Sequence, residues 1–135
     1  MGLTEQEREI LVGLKVEKSD KTLLEAKKAS EMQMWATAAN RLYYAAYYMV
    51  SALLLQHGVS VKTHEGVIQM FGMHFIKTGK VAKDIGRMYN DLFSTRLTGD
   101  YDDTFDLEGK DVLPKVEYAE AVIRTVREMI TNKKY

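Results

Sequence analysis

The sequence predicts an all-α protein, an antiparallel up-and-down bundle of four to five helices that forms one domain over residues 1–135. Apolar residues recur every three or four positions in each long segment, and no segment alternates with a period of two over a useful length. Proline occurs once, at Pro114, which favours helices joined by short turns. A chain of this length buries a core without disulfides, and this one has no cysteine.

The first helix is expected from about Thr4 to Met32. Thr4 and Glu7 have the spacing of a capping box, in which each side chain accepts a hydrogen bond from the other residue's backbone N–H. Gly13 is expected to weaken this helix by roughly 1 kcal/mol relative to alanine and to permit a kink. Small and apolar residues at alternating spacings of four and three form the inward face: Val12, Val16, Ser19, Leu23, Ala26 and Ser30.

The second helix, from Trp35 to about His57, is the most apolar segment. One stripe is expected to face the core: Ala39, Leu42, Ala46, Met49, Val50 and Leu53. The opposite face mixes polar, aromatic and apolar side chains: Asn40, Arg41, Tyr44, Tyr48, Ser51 and Leu55. Because a helix that is apolar nearly all round is usually buried nearly all round, this second face is expected to meet a partner subunit or to line a cleft.

The third helix is expected from His64 to Ile76, with Thr63 as its N-cap, and the fourth from Val81 to Leu97. Their inward residues are Val67, Met70, Phe71, Phe75, Ile85, Met88, Leu92 and Phe93.

An acidic loop over residues 98–111 is expected next, followed by a last helix from Val112 to Asn132. Pro114 falls in the first turn of that helix, where proline is tolerated. The inward stripe of the helix is Val112, Val116, Ala119, Ile123, Val126 and Ile130. Residues 99–111 hold six acidic residues and one lysine, and so long a loop in a compact domain is often functional.

The charge composition limits the ligand classes. Lys plus Arg and Asp plus Glu number 19 each, so the whole-protein field is weak and long nucleic acid would need a local basic patch. Asp100, Asp102 and Thr104 have the spacing of the first EF-hand ligands. Phe105, however, stands in place of the EF-hand glycine and Asp111 in place of its bidentate glutamate. Three scattered histidines without cysteine make a poor zinc site, so we expect no metal and no cofactor.

The first residues are charged, and no run of eighteen apolar residues occurs. We therefore expect neither a secretory signal nor a membrane span, and a cytoplasmic location.

The segment NRLYYAAYY places four tyrosines on the second helix as two adjacent pairs, one turn apart. Tyr43 and Tyr47 flank the core stripe, and we expect them mainly to pack, with each hydroxyl reaching a backbone group or water. Tyr44 and Tyr48 share a face with Asn40 and Arg41, where they would stack on bases or pack across a dimer. A purely packing role for all four rings is the alternative.

The segment RLTGDYDD begins with Arg96, at the expected end of the fourth helix. A helix dipole favours an arginine there, and the acids that follow would pair with it. Alternatively, Arg96 grips a phosphate while Asp100 and Tyr101 place the ligand.

The three histidines have different expected roles. His64 opens the third helix, where the helix N-terminus favours a neutral imidazole, and a capping or surface role is the alternative. His57 is expected at the end of the second helix, and His74 in the core.

Three segments together resemble one family: AANRLYYAAYYMVSALLL, KTHEGVIQMFGMHFIKTGK and RLTGDYDD. They are similar to the HEPN family (higher eukaryotes and prokaryotes nucleotide-binding domains), in its small stand-alone prokaryotic branch, over about residues 10–130. The resemblance implies an up-and-down bundle, usually a homodimer, encoded in many cases beside a minimal nucleotidyltransferase. It also implies a relation to metal-independent endoribonucleases and toxins, whose hallmark is Arg, four to six residues, then His at the dimer seam.

The resemblance carries over at two positions. Arg96 matches the arginine of the family's pattern, and Asn40 matches a polar position on the second helix. The histidine has no counterpart: Tyr101 stands five residues after Arg96. Metal-free RNA cleavage needs a base and an acid, and a tyrosine of ordinary pKa near 10 is a poor base at neutral pH. His64 would replace the histidine only if the fold brings it near Arg96.

These observations lead to three hypotheses of function. The first is a homodimeric binding module for a nucleotide or RNA, or the partner of a minimal nucleotidyltransferase in a toxin–antitoxin pair. Its ligand-binding residues would be Asn40, Tyr44, Tyr48, Arg96 and Tyr101.

The second reading is a metal-independent endoribonuclease toxin. Arg96 would stabilise the transition state, and the acid and base would come from Tyr101, Asp100 and His64. The third is a purely structural interaction protein. The six acids near Arg96 would repel phosphate, which argues against long RNA as the ligand.

Overall fold

The computed structural model describes residues 2–132, and in this range it contains five α-helices. They are α1 Glu5–Glu31, α2 Trp35–Gln56, α3 His64–Phe71, α4 Lys83–Tyr101 and α5 Gly109–Asn132. A π-helical turn, Gly72–Ile76, continues α3. No strand occurs in the described part of the chain, so the predicted helical bundle is confirmed. No helix among residues 2–132 has the length and apolar character needed to cross a bilayer.

The second helix, α2, is the centre of the bundle, because α1, α4 and α5 all pack against it. Twelve of its 22 residues are buried, including the whole stripe predicted to face the core. Five alanines on α2 are among them, and small side chains permit close helix contacts. The Ser19 hydroxyl of α1 donates a buried hydrogen bond of 2.6 Å to the Ala45 carbonyl, so even a polar position of α1 is satisfied at this contact.

The first helix, α1, has the predicted start and inward face. The Thr4 hydroxyl accepts from the Glu7 N–H, and the Glu7 carboxylate accepts from the Thr4 N–H, which completes the capping box. Gly13 neither splits nor ends the helix. Each predicted inward residue is buried or half-buried: Val12, Val16, Ser19, Leu23, Ala26 and Ser30.

The fourth helix is longer than the sequence predicts. The predicted end at Leu97 is wrong, because α4 continues to Tyr101. Gly99 does not stop the helix; it allows α4 to approach α2, since a Cβ at Gly99 would lie 3.3 Å from the Ala36 Cα atom. The connection to α5 is therefore residues 102–108 and not 98–111.

The fifth helix starts at Gly109, three residues before the predicted Val112. The Asp111 carboxylate accepts a hydrogen bond of 2.9 Å from the Glu108 N–H, which satisfies a backbone donor at this helix start. Gly109 also packs on the Trp35 indole, 3.1 Å from its added Cβ position, so the beginnings of α2 and α5 touch.

Two buried side chains on α4 were not predicted. Tyr89 is 1% exposed and Arg96 6% exposed, and both lie on the side of α4 that carries the predicted core residue Leu92. The prediction of a buried His74 is wrong, because His74 is exposed. His74 lies in the π-helical turn, whose wider coil keeps Phe75 in the core and turns His74 to solvent.

The close contact at Gly99 makes a stability prediction. In Gly99→Val, the added side chain meets the Ala36 backbone and the Leu107 methyl group, so we expect a loss of about 1–3 kcal/mol in the free energy of unfolding. The matched control is Gly13→Val in α1, because no heavy atom lies within 4 Å of its added Cβ. Urea unfolding of both variants measures this difference, and equal midpoints would contradict the proposed close approach of α4 to α2.

Candidate functional site

Arg96 is the centre of a group of side chains where α2, α3 and α4 meet. Its side chain is 7% exposed. The guanidinium carbon lies 5.1 Å from the Tyr43 ring centroid and 5.4 Å from that of Tyr44. The Phe93 ring is at 5.6 Å and the Tyr101 ring at 5.8 Å. Aromatic faces attract a cation most strongly where water is excluded, so these rings stabilise the buried charge.

Asp100 supplies the countercharge one helical turn later. Its Oδ2 atom lies 3.6 Å from Arg96 Nη1 and accepts a hydrogen bond of 3.0 Å from Asn40 Nδ2. The buried Nε atom of Arg96 has no hydrogen-bond partner among the described residues. The guanidinium therefore keeps donor capacity that the protein does not use, at a cost of roughly 1–3 kcal/mol for an unsatisfied buried donor.

A second arginine lies beside this pair. The Asn40 Oδ1 atom accepts hydrogen bonds from Arg41 Nε at 3.0 Å and Arg41 Nη2 at 2.8 Å. The Arg41 guanidinium also covers the Tyr44 ring at 5.3 Å and approaches Glu25 at 3.4 Å. The Asn40 amide is thus held between Arg41 and Asp100, which fixes both its position and its orientation.

His64 comes to the same place from the start of α3. Thr63 is the N-cap, as predicted, and its hydroxyl accepts from the Gly66 N–H. The His64 Nδ1 atom lies 2.8 Å from the Tyr43 hydroxyl, and Nε2 lies 3.5 Å from the Tyr44 hydroxyl. We call this group the Arg96 cluster; its members are Asn40, Arg41, Tyr43, Tyr44, His64, Arg96, Asp100 and Tyr101.

Burial sets the protonation states in the cluster. Burial lowers the pKa of His64 below its ordinary value of 6.5, and the positive charge of Arg96 lowers it further, while Glu65 opposes both effects. Burial raises the pKa of the Tyr43 phenol above its ordinary value of 10. At neutral pH the cluster therefore contains a neutral imidazole bonded to a protonated phenol, next to the Arg96–Asp100 pair.

The structure brings together most of the residues singled out in the sequence. Asn40, Tyr44, Arg96, Asp100 and Tyr101 are in one cluster, and His64 shares the Tyr43 and Tyr44 rings with Arg96.

Tyr48 is placed differently. Its ring lies under the Lys18 ammonium group at 4.8 Å and contacts the group around Arg96 through the Tyr44 ring, at 5.9 Å. Tyr43 does more than pack, since it also bonds His64 and faces Arg96. Sequence reasoning placed Arg41 on the face with Asn40 and Tyr44 but named neither Arg41 nor Tyr43 as a site residue. The signal for both was helical spacing, because Tyr43 lies three residues after Asn40 and Arg41 lies three residues before Tyr44.

The surrounding charges are mixed. In the loop 102–108, the Asp102 carboxylate accepts from the Thr104 N–H and hydroxyl, and these hydrogen bonds lower the pKa of Asp102. Over residues 2–132, no three His, Asp or Glu side chains are placed to hold a metal ion. The chemistry that the cluster offers is that of two guanidinium groups, an imidazole, a carboxylate and phenol rings, which suits an anionic, aromatic ligand.

Comparison with known proteins shows that this chain is similar to one family. Residues 14–133 match the model of the HEPN domain. A protein of Thermotoga maritima named "UPF0332 protein" is 42% identical over 98 residues, which are 73% of this chain and 74% of that one.

Two proteins of Methanocaldococcus jannaschii carry the name "putative toxin". One is 33% identical over 93 residues, covering 69% of this chain and 63% of its own length. The other is 28% identical over 118 residues, covering 85% and 88%. The crystal structure of TT1696 from Thermus thermophilus superposes with a TM-score of 0.74 over 87% of this chain and 96% of that one. Its identity is 15%, so this likeness concerns the fold.

The position of Arg96 near His64 predicts that removing the arginine charge changes the pKa of the imidazole. We expect His64 to titrate below 6.5 and to move towards that value in Arg96→Gln, because a nearby positive charge is removed. His57, whose pKa is lowered by burial and by Lys80, is the control and should not move. Proton NMR of the imidazole signals measures both.

The same shift has a consequence for stability. Between the folded and unfolded pKa values of His64, the unfolded state binds more protons, so the free energy of unfolding decreases as the pH falls below 6.5. This dependence should be weaker in Arg96→Gln. An unchanged His64 titration in that variant would show that Arg96 does not act on the imidazole.

Proposed function

The chain belongs to the HEPN domain family, and we propose that it is the toxin-related component of a cytoplasmic toxin–antitoxin pair. In this proposal, the Arg96 cluster binds the phosphate of a nucleotide or of an RNA end. The names of the two Methanocaldococcus relatives support the toxin relation. The partner would be a minimal nucleotidyltransferase.

One observation supports the proposal most directly. The buried Arg96 guanidinium is surrounded by aromatic rings, and its positive charge is only partly neutralised by Asp100. Arg96 makes one ion pair, at 3.6 Å, and its Nε atom has no partner among the described residues. A phosphate oxygen would form shorter, charge-assisted hydrogen bonds with the guanidinium. Tyr101, which is 69% exposed, lies beside it as a surface on which a base can stack.

The charges near the cluster favour a small ligand. Asp100 is part of the cluster, and the connection 102–108 adds Asp102, Asp103, Asp106 and Glu108. Each phosphate of a long RNA that passed these carboxylates would be repelled. A single nucleotide or the end of an RNA places one phosphate at Arg96 and avoids most of this repulsion.

We also propose that the protein acts as a homodimer whose seam lies beside the cluster. Apolar side chains are exposed near the end of α4, with Leu97 at 36% and Phe105 at 48%. Their burial in a second copy would exclude water from the cluster and strengthen its electrostatic interactions. The molar mass in solution, from light scattering, tests this part separately.

A second candidate function, metal-independent RNA cleavage, is favoured by the position of His64. Its imidazole lies against the Tyr43, Tyr44 and Phe93 rings, which also face Arg96. A neutral imidazole can take the proton of a 2′-hydroxyl while Arg96 stabilises the charge that develops on the phosphate. The acid for the leaving oxygen would be Tyr101 or Asp100.

The two candidates separate in one set of assays. For phosphate binding, nucleotide titration should show affinity in the unmodified protein and a loss of about 10- to 100-fold in Arg96→Ala. Arg96→Lys keeps the positive charge and should lose less, and circular dichroism of each variant checks the fold. Binding that is equal in all three proteins would overturn the proposal.

RNA cleavage is measured with the same proteins in excess EDTA. Cleavage by the unmodified protein that is lost in both Arg96→Ala and His64→Gln would establish the ribonuclease. No cleavage, together with Arg96-dependent nucleotide binding, would establish the binding module.

A change at Asp100 is expected to strengthen nucleotide binding, the opposite of the effect expected for Arg96→Ala. Asp100→Asn keeps an acceptor for the Asn40 amide but removes the charge that competes for Arg96. We expect nucleotide phosphate to bind about fivefold more tightly, which corresponds to ~1 kcal/mol for one charge pair at 4 Å in water. The gain should shrink as salt is added. Weaker binding in isothermal titration would mean that Asp100 holds the ligand and does not compete with it.

A further inference from the structure

A second concave surface lies at the other end of α4 from the Arg96 cluster. It is a cleft of about 500 Å³ between α3, the π-helical turn and the first half of α4. Its walls are mainly apolar: Ile68, Phe71, Gly72, Ile76, Gly86 and Tyr89. We call it the α3–α4 cleft. Its volume is in the range of small-molecule sites, which are typically apolar with a few polar groups at defined positions.

The rim of the α3–α4 cleft is positively charged. Lys77, Lys83 and Arg87 all line it and are exposed. None of the three forms an ion pair with another described residue, although Asp84 and Asp91 lie on the same helix within about a turn of Arg87. In a protein with zero formal net charge, this concentration of unpaired cations is a local feature.

Helix stability accounts for two of these cations but not for Lys83. Lys77 follows the C-terminal end of the π-helical turn, where a cation is favoured, and Arg87 lies one turn from Asp84 and Asp91. Lys83 is in the first turn of α4, where the helix dipole disfavours a positive charge. Lys83 and Arg87 are also four residues apart, a spacing at which like charges repel. An anion bound between them would remove both unfavourable interactions. The rim therefore indicates a negatively charged occupant, and the apolar walls indicate that most of it is not charged.

We propose that the α3–α4 cleft binds a small organic anion with an aliphatic or aromatic body and one anionic head, such as a carboxylate or a sulfate. The body packs against Phe71 and Ile76, and the head pairs with Lys83 and Arg87. A nucleotide is a poorer fit, because Asn90 and Tyr89 are the only polar uncharged side chains among the described residues of the lining, too few to read a base. The cleft contacts the Arg96 cluster through Tyr89, whose ring stacks on Tyr43 at 5.9 Å, but no member of the cluster lines it. The proposal does not depend on the function of the cluster.

The probe for the test is 1-anilinonaphthalene-8-sulfonate, which has an aromatic body and one sulfonate. Its fluorescence gives the affinity for the unmodified protein and for two variants of the cleft. Lys83→Gln with Arg87→Gln removes the charges, and we expect about tenfold weaker binding. Gly72→Met fills the cleft from its wall, since a Cβ there has no heavy atom within 4 Å, and we expect binding to be lost.

Two control variants make the result specific. Lys21→Gln with Lys28→Gln removes two exposed cations from α1, a helix that contributes no residue to the lining of the cleft, and should leave the affinity unchanged. Because the Arg96 cluster also suits an anionic aromatic ligand, Arg96→Ala is measured beside the cleft variants. Dye affinity that falls in Arg96→Ala and stays unchanged in both cleft variants would place the dye at the cluster and overturn the cleft. Weaker binding in the cleft variants supports the cleft whether or not the cluster binds phosphate. Circular dichroism of every variant confirms that the helices are retained.

The nature of the ligand is tested by competition. Decanoate should displace the dye from the unmodified protein at lower concentration than decanol, because only decanoate has a charged head. Equal displacement would overturn the anionic part of the proposal.

Two further results would overturn the site itself. Unchanged dye affinity in both cleft variants would mean that the dye is an adventitious additive only and binds outside the α3–α4 cleft. A change of molar mass in Gly72→Met by light scattering would mean that the cleft is a contact between copies of the chain.

Discussion

Removing a guanidinium group from water is costly, and the arrangement of this bundle depends on how that cost is offset at Arg96. Rings from α2 face the cation, and a carboxylate one turn further along α4 partly neutralises it. Each compensating group belongs to the packing of the bundle. The site is therefore not a set of side chains added to a finished core: Tyr43 is fully buried in the core and is also the ring nearest to the cation.

The four tyrosines of α2 satisfy two demands at once. Their rings fill the contacts of α2 with its neighbours, and the hydroxyls of Tyr43 and Tyr44 lie next to His64. The Tyr47 ring lies 4.7 Å from the same imidazole, and the Tyr48 ring faces the Lys18 ammonium group. Phenylalanines would fill the same volume and leave His64 without its 2.8 Å partner.

The fold was predictable because it follows from local rules. Helical periodicity gave the inward faces, and the caps at Thr4 and Thr63 gave two helix starts. The errors have tertiary causes. Gly99 is a helix breaker by propensity, but its contact with Ala36 keeps it inside α4. His74 is exposed because it lies in the π-helical turn, and the spacing of apolar residues in the sequence does not predict such a turn.

The site was predictable only in part. The segment after Arg96 predicted its pairing with Asp100, and the family resemblance added Asn40, yet Asn40 and Asp100 are sixty residues apart and their hydrogen bond is a product of the fold. The position of His64 beside the rings that hold Arg96 also depends on how α3 packs. Burial of Arg96 could not be expected from its residue type, since arginine is rarely buried unless it is paired.

The link from Arg41 through Asn40 and Asp100 to Arg96 has a consequence for the evolution of the chain. Arg96 is the buried member, so losing Asp100 leaves a buried charge without its ion-pair partner, while the half-buried Arg41 and Asn40 position Asp100. Loss of the Asp100 charge should therefore be accepted most readily together with a change at Arg96. Divergent descendants would then fall into two groups, those that keep the whole link and those that have replaced it with an apolar contact between α2 and α4.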